Sequence, residues 1–311
     1  MNDASAIRRV AVVGAGTIGA SWTVRFLASG LDVTVSDPAS GAADAVRRTI
    51  ARVWPTMEQL GLAPTADPDR WRFAASPADA VANAQFVQEN APERYDVKQR
   101  VLGEIDEALD PNAVISSSTS GLLLSRLVER LAHPERVVIG HPFNPPHLIP
   151  LVEVIGTTAS RKTVETALAF YRAIGKRPIE IRKEVPGHVA NRLQAAIWRE
   201  ALYLVQSGVA SVADVDAAIS EGPGLRWALM GPHLTFHLAG GTGGMAGFLD
   251  HLLPAVCTWW EDLGEPEMTD AFRCAYLAGI DEATGGRSIA DLERERDAKL
   301  TGLLGARVTS S

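Results

Sequence analysis

Cysteine is scarce. Cys257 and Cys274 are the only two in 311 residues, too few and too widely spaced for a disulfide framework or a thiolate zinc site, so no metal is expected. Free thiols at this density fit a reducing cytoplasm. Positive charge is also short. Lys and Arg total 30 against 37 Asp and Glu, and the net charge of −7 repels phosphate backbones and anionic lipid; neither a nucleic acid nor a membrane is expected as partner. Met1 to Ile7 has no apolar core, so no signal segment is expected there. Trp227 to Leu249 carries no Asp, Glu, Lys or Arg, but it holds six glycines, Pro232, His233 and His237. A lipid-facing helix so interrupted would leave backbone groups unpaired. A buried helix and turn in a soluble protein is expected instead. No internal repeats or low-complexity segments occur.

What is present is ordinary globular composition, 46% hydrophobic and 22% charged, which excludes intrinsic disorder. The length suits two domains. Arg9–Val13 (RVAVV) reads as a buried strand, followed by a glycine-rich turn and a helical pattern to Ser29. Leu31–Ser36 is a second β-branched strand. Ala42–Gly61 reads as a long helix interrupted at Pro55. Short strands are expected at Arg72–Phe73, Phe86–Glu89, Ala113–Ser116 and Val137–Gly140, with helices between them. This alternation predicts an α/β fold with a doubly wound parallel sheet. After Pro186-Gly187 strand signals stop and helical periodicity takes over. The expected division is 1–185, a dinucleotide-binding Rossmann domain, and 186–311, a smaller all-helical domain.

Gly14-Ala15-Gly16-Thr17-Ile18-Gly19 is a G-x-G-x-x-G placed directly between a strand and a helix. The first glycine permits a tight turn, the second lets backbone approach a pyrophosphate, and the third lets helix pack on strand. The helix N-terminus then offers free N–H groups to the phosphates. Asp37 ends the second strand 18 residues after Gly19. Its carboxylate would accept the ribose hydroxyls of NAD and repel a 2′-phosphate, and no Arg or Lys follows until Arg47. NAD is expected rather than NADP.

His141 lies just past the strand 137–139, where open α/β sheets bind ligands. Glu153, twelve residues on, is a lone carboxylate in the apolar run Leu151–Ile155. A His–Glu pair would satisfy both groups, fix the imidazole tautomer and leave the other nitrogen to take a proton. The hydroxyl cluster Ser116–Ser120 follows another strand and could hydrogen-bond a substrate oxygen or cap the next helix. Asn191 and Arg192 interrupt an apolar helical pattern.

Gly14–Gly19, Ser120, His-Pro-Phe-Asn-Pro at 141–145, Glu153 and Pro186-Gly187-x-x-x-Asn191-Arg192 together resemble the 3-hydroxyacyl-CoA dehydrogenase superfamily over essentially the whole chain. The resemblance implies a Rossmann domain followed by a helical domain that mediates homodimerisation, and oxidation of a 3-hydroxy group with NAD. It implies that His141 is the general base, Glu153 its orienting partner, and Ser120 and Asn191 the groups holding the reacting oxygen. It also places Glu93, Lys98 and Asn144 at the cofactor. His188 departs from the pattern, since relatives usually carry Phe after Pro-Gly, and this alters the local shape of the pocket.

The helical half resembles the members that oxidise carnitine, through Trp198-Arg199-Glu200-Ala201-Leu202, Gly224-Leu225-Arg226-Trp227, Met230-Gly231-Pro232, Leu238–Gly241, Arg287-Ser288-Ile289 and Leu292-Glu293-Arg294. Members acting on L-gulonate, of the lambda-crystallin type, resemble it less well. A quaternary ammonium has no N–H donor and must be held by aromatic faces or a distant carboxylate. Phe143, Trp198, Trp227 and Phe236 are candidates for such a cage, and Arg226 could anchor the substrate carboxylate. Each Trp could equally be core or interface packing. Two other readings are oxidation of a 3-hydroxyacyl-CoA, with Arg161-Lys162 and Arg182-Lys183 as a basic rim, and a non-catalytic NAD-binding structural protein of the crystallin kind. Retention of all four active-site residue types argues against the latter.

Overall fold

The computed structural model describes residues 7–308; the N-terminal segment read above as lacking a signal core lies almost wholly outside them. Eight strands form one sheet among the described residues: β1 (Arg9–Val13), β2 (Asp32–Ser36), β3 (Trp71–Ala74), β4 (Phe86–Glu89), β5 (Val114–Ser117), β6 (Val137–Pro142), β7 (Leu151–Ile155) and β8 (Arg177–Ile181). Their spatial order is β3-β2-β1-β4-β5-β6-β7-β8. Helices α1 (Thr17–Ala28), α2 (Ala42–Leu60), α3 (Pro77–Val81), α4 (Tyr95–Ala108), α5 (Leu124–Leu127) and α6 (Arg161–Ala173) cover its two faces.

One face packs on α1, α2 and α6 through Trp22, Phe26, Met57, Phe170 and Tyr171. The other packs on α3, α4 and α5 through Val81, Leu102, Ile105, Leu124 and Leu127. Burial on both faces explains the apolar run of β1, while β4 and β5 are equally buried but end in the polar pairs Gln88-Glu89 and Ser116-Ser117. The doubly wound arrangement is as expected, with one departure. β6 and β7 run antiparallel, and β7 and β8 are parallel to each other. The connection from Phe143 to Pro150 is too short for a helical crossover, so the chain must turn back on itself. Neither β7 nor β8 was anticipated as a strand.

Two further expectations are corrected. α2 runs unbroken through Pro55. The carbonyl deprived of a partner belongs to Ala51, on the exposed face, while Val46, Ile50, Val53 and Met57 anchor the helix to the sheet. The charge-free stretch after Trp227 is not buried within the chain. It forms α10 (Pro232–Ala239) and α11 (Gly244–His251), with Leu229, Leu234, Leu238 and Leu249 exposed. Apolarity signals that a surface needs covering, not that its own chain covers it. No helix among the described residues is long and apolar enough to cross a membrane.

From residue 190 onward the regular elements among the described residues are helices: α7 (Ala190–Gln206), α8 (Val212–Ser220), α9 (Pro223–Trp227), then α10 and α11, then α12 (Leu253–Asp262), α13 (Asp270–Thr284) and α14 (Ile289–Val308). The chain divides into two compact units. One runs to Asn191 and takes in the segment from Glu293; the other is Arg192–Leu292.

Candidate active site

The glycine turn behaves as its spacing demands. Gly14 has φ +92, and a side chain there would meet the Asn90 carbonyl at 2.7 Å. A Cβ on Gly19 would lie 1.8 Å from the Gly14 oxygen, so helix and turn could not close. At Gly16 nothing lies within 4 Å, leaving the N-cap of α1 open to a ligand. Asp37 accepts from the Ala15 amide at 2.7 Å and the Ala39 amide at 2.8 Å. A carboxylate has about four lone-pair sites, so ribose hydroxyls can still be received. Asp37, Gly14 and Gly16 line a cleft of ≈480 Å³, with Ser36, Ala91 and Val101 among its other walls. Among the described residues Arg100 is the one basic residue in that lining, and it is paired with Glu104 at 2.7 Å. The residues present fit NAD. Thr17 and Ile18 open α1 beside this turn.

The antiparallel β6–β7 pair places His141 directly opposite Glu153. His141 Nδ1 donates to Glu153 Oε2 at 2.8 Å. Glu153 is fully buried. Its other oxygen accepts the Val189 and Ala190 amides at 2.9 Å, at the start of α7. Burial alone would raise the Glu153 carboxyl, but the hydrogen bonds from His141, Ala190 and Val189 outweigh it and hold the group below its ordinary range. An ionised Glu153 can only accept, so Nδ1 carries the proton and Nε2 presents a lone pair. The Phe143 ring stands edge-on to His141, with centroids 5.4 Å apart.

The β5 loop lies alongside. Glu93 Oε1 accepts from Thr119 Oγ1 (2.7 Å), the Ser120 amide (2.8 Å) and the Gly121 amide (3.1 Å). Thr119 Oγ1 in turn accepts from the Leu122 amide at 3.1 Å; the helix capping expected of this cluster does not occur, because α5 starts only at Leu124, with Leu123 as its N-cap and no side-chain cap. Asn191 Nδ2 donates to the Ser120 carbonyl at 3.1 Å, so the two groups expected at the reacting oxygen are adjacent. Asn144 is exposed in the β6–β7 loop. Lys98 is 1% exposed and bonds Glu89 at 2.9 and 3.1 Å, with Glu93 at 3.8 Å.

Glu89 escaped the sequence reading. It is fully buried at the end of β4, where it also accepts from the Ala91 amide and the Ser117 hydroxyl. The signal was weaker than for Glu153, which is flanked by apolar residues on both sides: Glu89 follows Gln88 at the end of its strand.

His188 is 1% exposed at φ +53, a conformation uncommon for a residue with a side chain. Its Nε2–H donates to the Thr119 carbonyl at 3.1 Å, its Nδ1 is buried without a partner, and its ring lies 5.3 Å from that of His141. Burial pushes its pKa down, against the raising effect of the Thr119 carbonyl. Trp198 is exposed on α7, seven residues after Asn191. Arg226 and Trp227 close α9, and Phe236 stacks on Phe248 at 4.8 Å.

Residues 9–185 match the NAD binding domain of 3-hydroxyacyl-CoA dehydrogenase, and residues 187–268 match its C-terminal domain. An L-carnitine dehydrogenase of Streptomyces griseus is 52% identical over 301 residues, covering 96% of this chain and 90% of that one. One from Pseudomonas putida is 49% identical over 301 residues, covering 96% and 94%. Among solved structures, an NAD+-dependent dismutase, 5-formyl-3-hydroxy-2-methylpyridine 4-carboxylic acid 5-dehydrogenase, superposes with a TM-score of 0.82 at 30% identity, over 96% of this chain and 97% of that one.

Proposed function

Because the chain belongs to the 3-hydroxyacyl-CoA dehydrogenase family and is an NAD-dependent oxidoreductase acting on CH–OH, we propose that it oxidises the 3-hydroxy group of L-carnitine, with His141 as general base. The observation that carries this reading is the buried His141–Glu153 pair, with Nε2 left free, at the end of β6 in the same sheet that builds the dinucleotide turn. NAD supplies the hydride acceptor when bound. The substrate hydroxyl donates to Nε2 of His141, which takes the proton as the carbonyl forms. Glu153 steadies the imidazolium, and Ser120 and Asn191 hold the reacting oxygen. A positioned base contributes about 10²–10⁴ in rate.

Similarity to relatives named L-carnitine dehydrogenase supports the choice of substrate. Phe143 beside the base offers one aromatic face to a trimethylammonium; Trp198 and Trp227 are proposed for the cation and Arg226 for the carboxylate on residue type alone. Glu165 and Glu180, at 2.9 and 2.6 Å from Arg161, offset part of the positive charge that an acyl-CoA phosphate would need there. We further infer a division of labour between 1–185, for the cofactor, and 186–311, for substrate and pairing. The pairing is with a second copy of the chain in the cytoplasm. Support comes from α9, α12 and α13, which bury no side chain within the chain, and from Trp259 and Trp260, each about 60% exposed.

NADH absorbance with L-carnitine, L-gulonate and 3-hydroxybutyryl-CoA in turn tests the substrate; preference for either of the latter overturns it. Oxidation of 3-hydroxybutyrate as efficiently as carnitine would reject the aromatic cage. His141→Ala is expected to keep NAD affinity and to lose turnover, and retained turnover removes His141 from its role.

A further inference from the structure

The loop joining His141 to Glu153 is rich in proline. Phe143–Pro150 contains Pro145, Pro146 and Pro150, three residues with no N–H to donate. Such a segment offers carbonyls it cannot satisfy from its own backbone. The Leu148 and Ile149 amides both turn back to the Pro145 carbonyl at 3.0 Å, and the Arg177 amide takes the Pro150 carbonyl at 2.8 Å. Two of the loop's other carbonyls are those of Pro146 and Ile149. Both are taken by a single side chain, Lys176, whose Nζ donates to Ile149 at 2.8 Å and also to Pro146.

Lys176 is 7% exposed. Its other neighbour is the Trp22 indole face, 5.3 Å away, and the nearby cation Arg25 is bonded to the Ile174 carbonyl. Among the described residues no ion pair to a carboxylate is recorded for it. Burial, and then the Arg25 cation, push its pKa well below the ordinary lysine value, and a buried amine of this kind persists only where its hydrogen bonds compensate for lost hydration. Here they go to the loop between the base and its partner. The same loop has a second anchor. The His147 amide donates to Ser21 Oγ at 2.9 Å, and that hydroxyl donates back to His147 Nδ1 at 2.8 Å. Ser21 lies on α1, two residues past Gly19 of the dinucleotide turn.

We propose that Lys176 is a positioning residue for hydride and proton transfer, fastening the β6–β7 loop, and with it His141, Phe143 and Asn144, at a fixed distance from the helix that receives the dinucleotide, with Ser21 as the second fastening. The proposal rests on His141 acting as the base. Transfer geometry is steep in distance: a displacement of about 1 Å can cost about 10²-fold in rate.

The test compares wild type with Lys176→Met, a near-isosteric change that removes every donor. Three quantities are read: kcat and KM with L-carnitine and NAD+, the isotope effect with carnitine deuterated at C3, and hydrogen exchange of the His147, Leu148 and Ile149 amides. In the folded variant kcat is expected to fall about tenfold or more, the KM for NAD+ to stay within about threefold, the isotope effect to rise as transfer becomes limiting, and the three amides to exchange faster. A merely structural lysine would lower the melting temperature and leave kcat and the isotope effect where they were; that result overturns the proposal. If Lys176→Met does not fold, Ser21→Ala is judged by the same measures. If wild type itself does not oxidise carnitine, the substrate reading fails separately. Exchange in the loop then decides the clamp: faster in the variant supports it, unchanged rejects it.

Discussion

Replacing Glu153 by Gln sets two demands on one side chain against each other. Wild-type Glu153 accepts from His141 Nδ1 through one oxygen and from the Val189 and Ala190 amides through the other. A glutamine has one acceptor oxygen and one NH₂. If the oxygen stays on the two amides, the NH₂ faces Nδ1, which must then accept, and the proton moves to Nε2, where the base needs its lone pair. If the amide group turns over, two buried N–H groups face a donor, at a cost of about 1–3 kcal/mol each. The first arrangement keeps all three contacts and the second loses two, so the wrong tautomer prevails. The variant also loses the attraction between carboxylate and imidazolium. At 2.8 Å and an effective dielectric near 20 this is about 6 kcal/mol before desolvation is subtracted. A net loss of about 3–5 kcal/mol corresponds to a fall in kcat of about 10²–10⁴. Glu153→Gln should lose only about 1–2 kcal/mol of stability, because the amides of α7 keep a neutral acceptor. Affinity for NAD should be unchanged, because the glycine turn is elsewhere. The assay is steady-state NADH formation beside calorimetric titration of NAD+ and urea unfolding. A folded variant with kcat within about tenfold of wild type would refute the reasoning.

Asp37→Ser removes the charge beside the ribose. Selectivity for NAD over NADP, read as the ratio of kcat/KM values, should drop about 10- to 100-fold, the worth of one or two charge-assisted hydrogen bonds; an unchanged ratio would place the discrimination elsewhere. His147 gives a stability signature. Burial lowers its pKa to about 4 from 6.5, so the folded protein keeps it neutral while the unfolded chain protonates it. Its contribution is complete above the unfolded value and is lost as pH falls toward the folded one. This group alone should remove about 2–3 kcal/mol between about pH 7 and about pH 4.5. Urea unfolding at the two pH values should show a shallower dependence in His147→Leu than in wild type, and equal slopes would dismiss the effect.

Much of the first half was legible because its signals are local. The glycine turn, Asp37 and the strands at 9–13, 86–89 and 137–140 are each dictated by a few adjacent residues, and the structure has them within a residue or two. His141 and Glu153 were paired by a chemical argument, that a lone carboxylate in an apolar run needs a partner. The antiparallel register that brings them face to face was not legible, since it depends on how a short proline-rich loop turns. β8 was missed for a related reason: RPIEI alternates weakly and begins beside a buried lysine whose partners lie 27 and 30 residues away. Lys98, expected near the cofactor by resemblance, lies in a buried pair with Glu89, which needed the β4 register to be seen. In the helical half apolar periodicity found helices but not what covers them. The same signal marks a core residue and an interface residue.

The turn-back after Pro142 has a consequence for how such an enzyme can change. The proposed base and the carboxylate that orients it are spelled out within one contiguous stretch of thirteen residues, 141–153, whereas the cleft beside the glycine turn gathers its walls from positions scattered between Val13 and Glu104. Insertions, deletions and drift elsewhere leave the spacing of the proton-handling pair untouched. On the proposed reading of His141 as the base, a lineage carrying this hairpin is free to remodel its later helices, and so to admit different alcohols, while the means of deprotonating them is inherited intact.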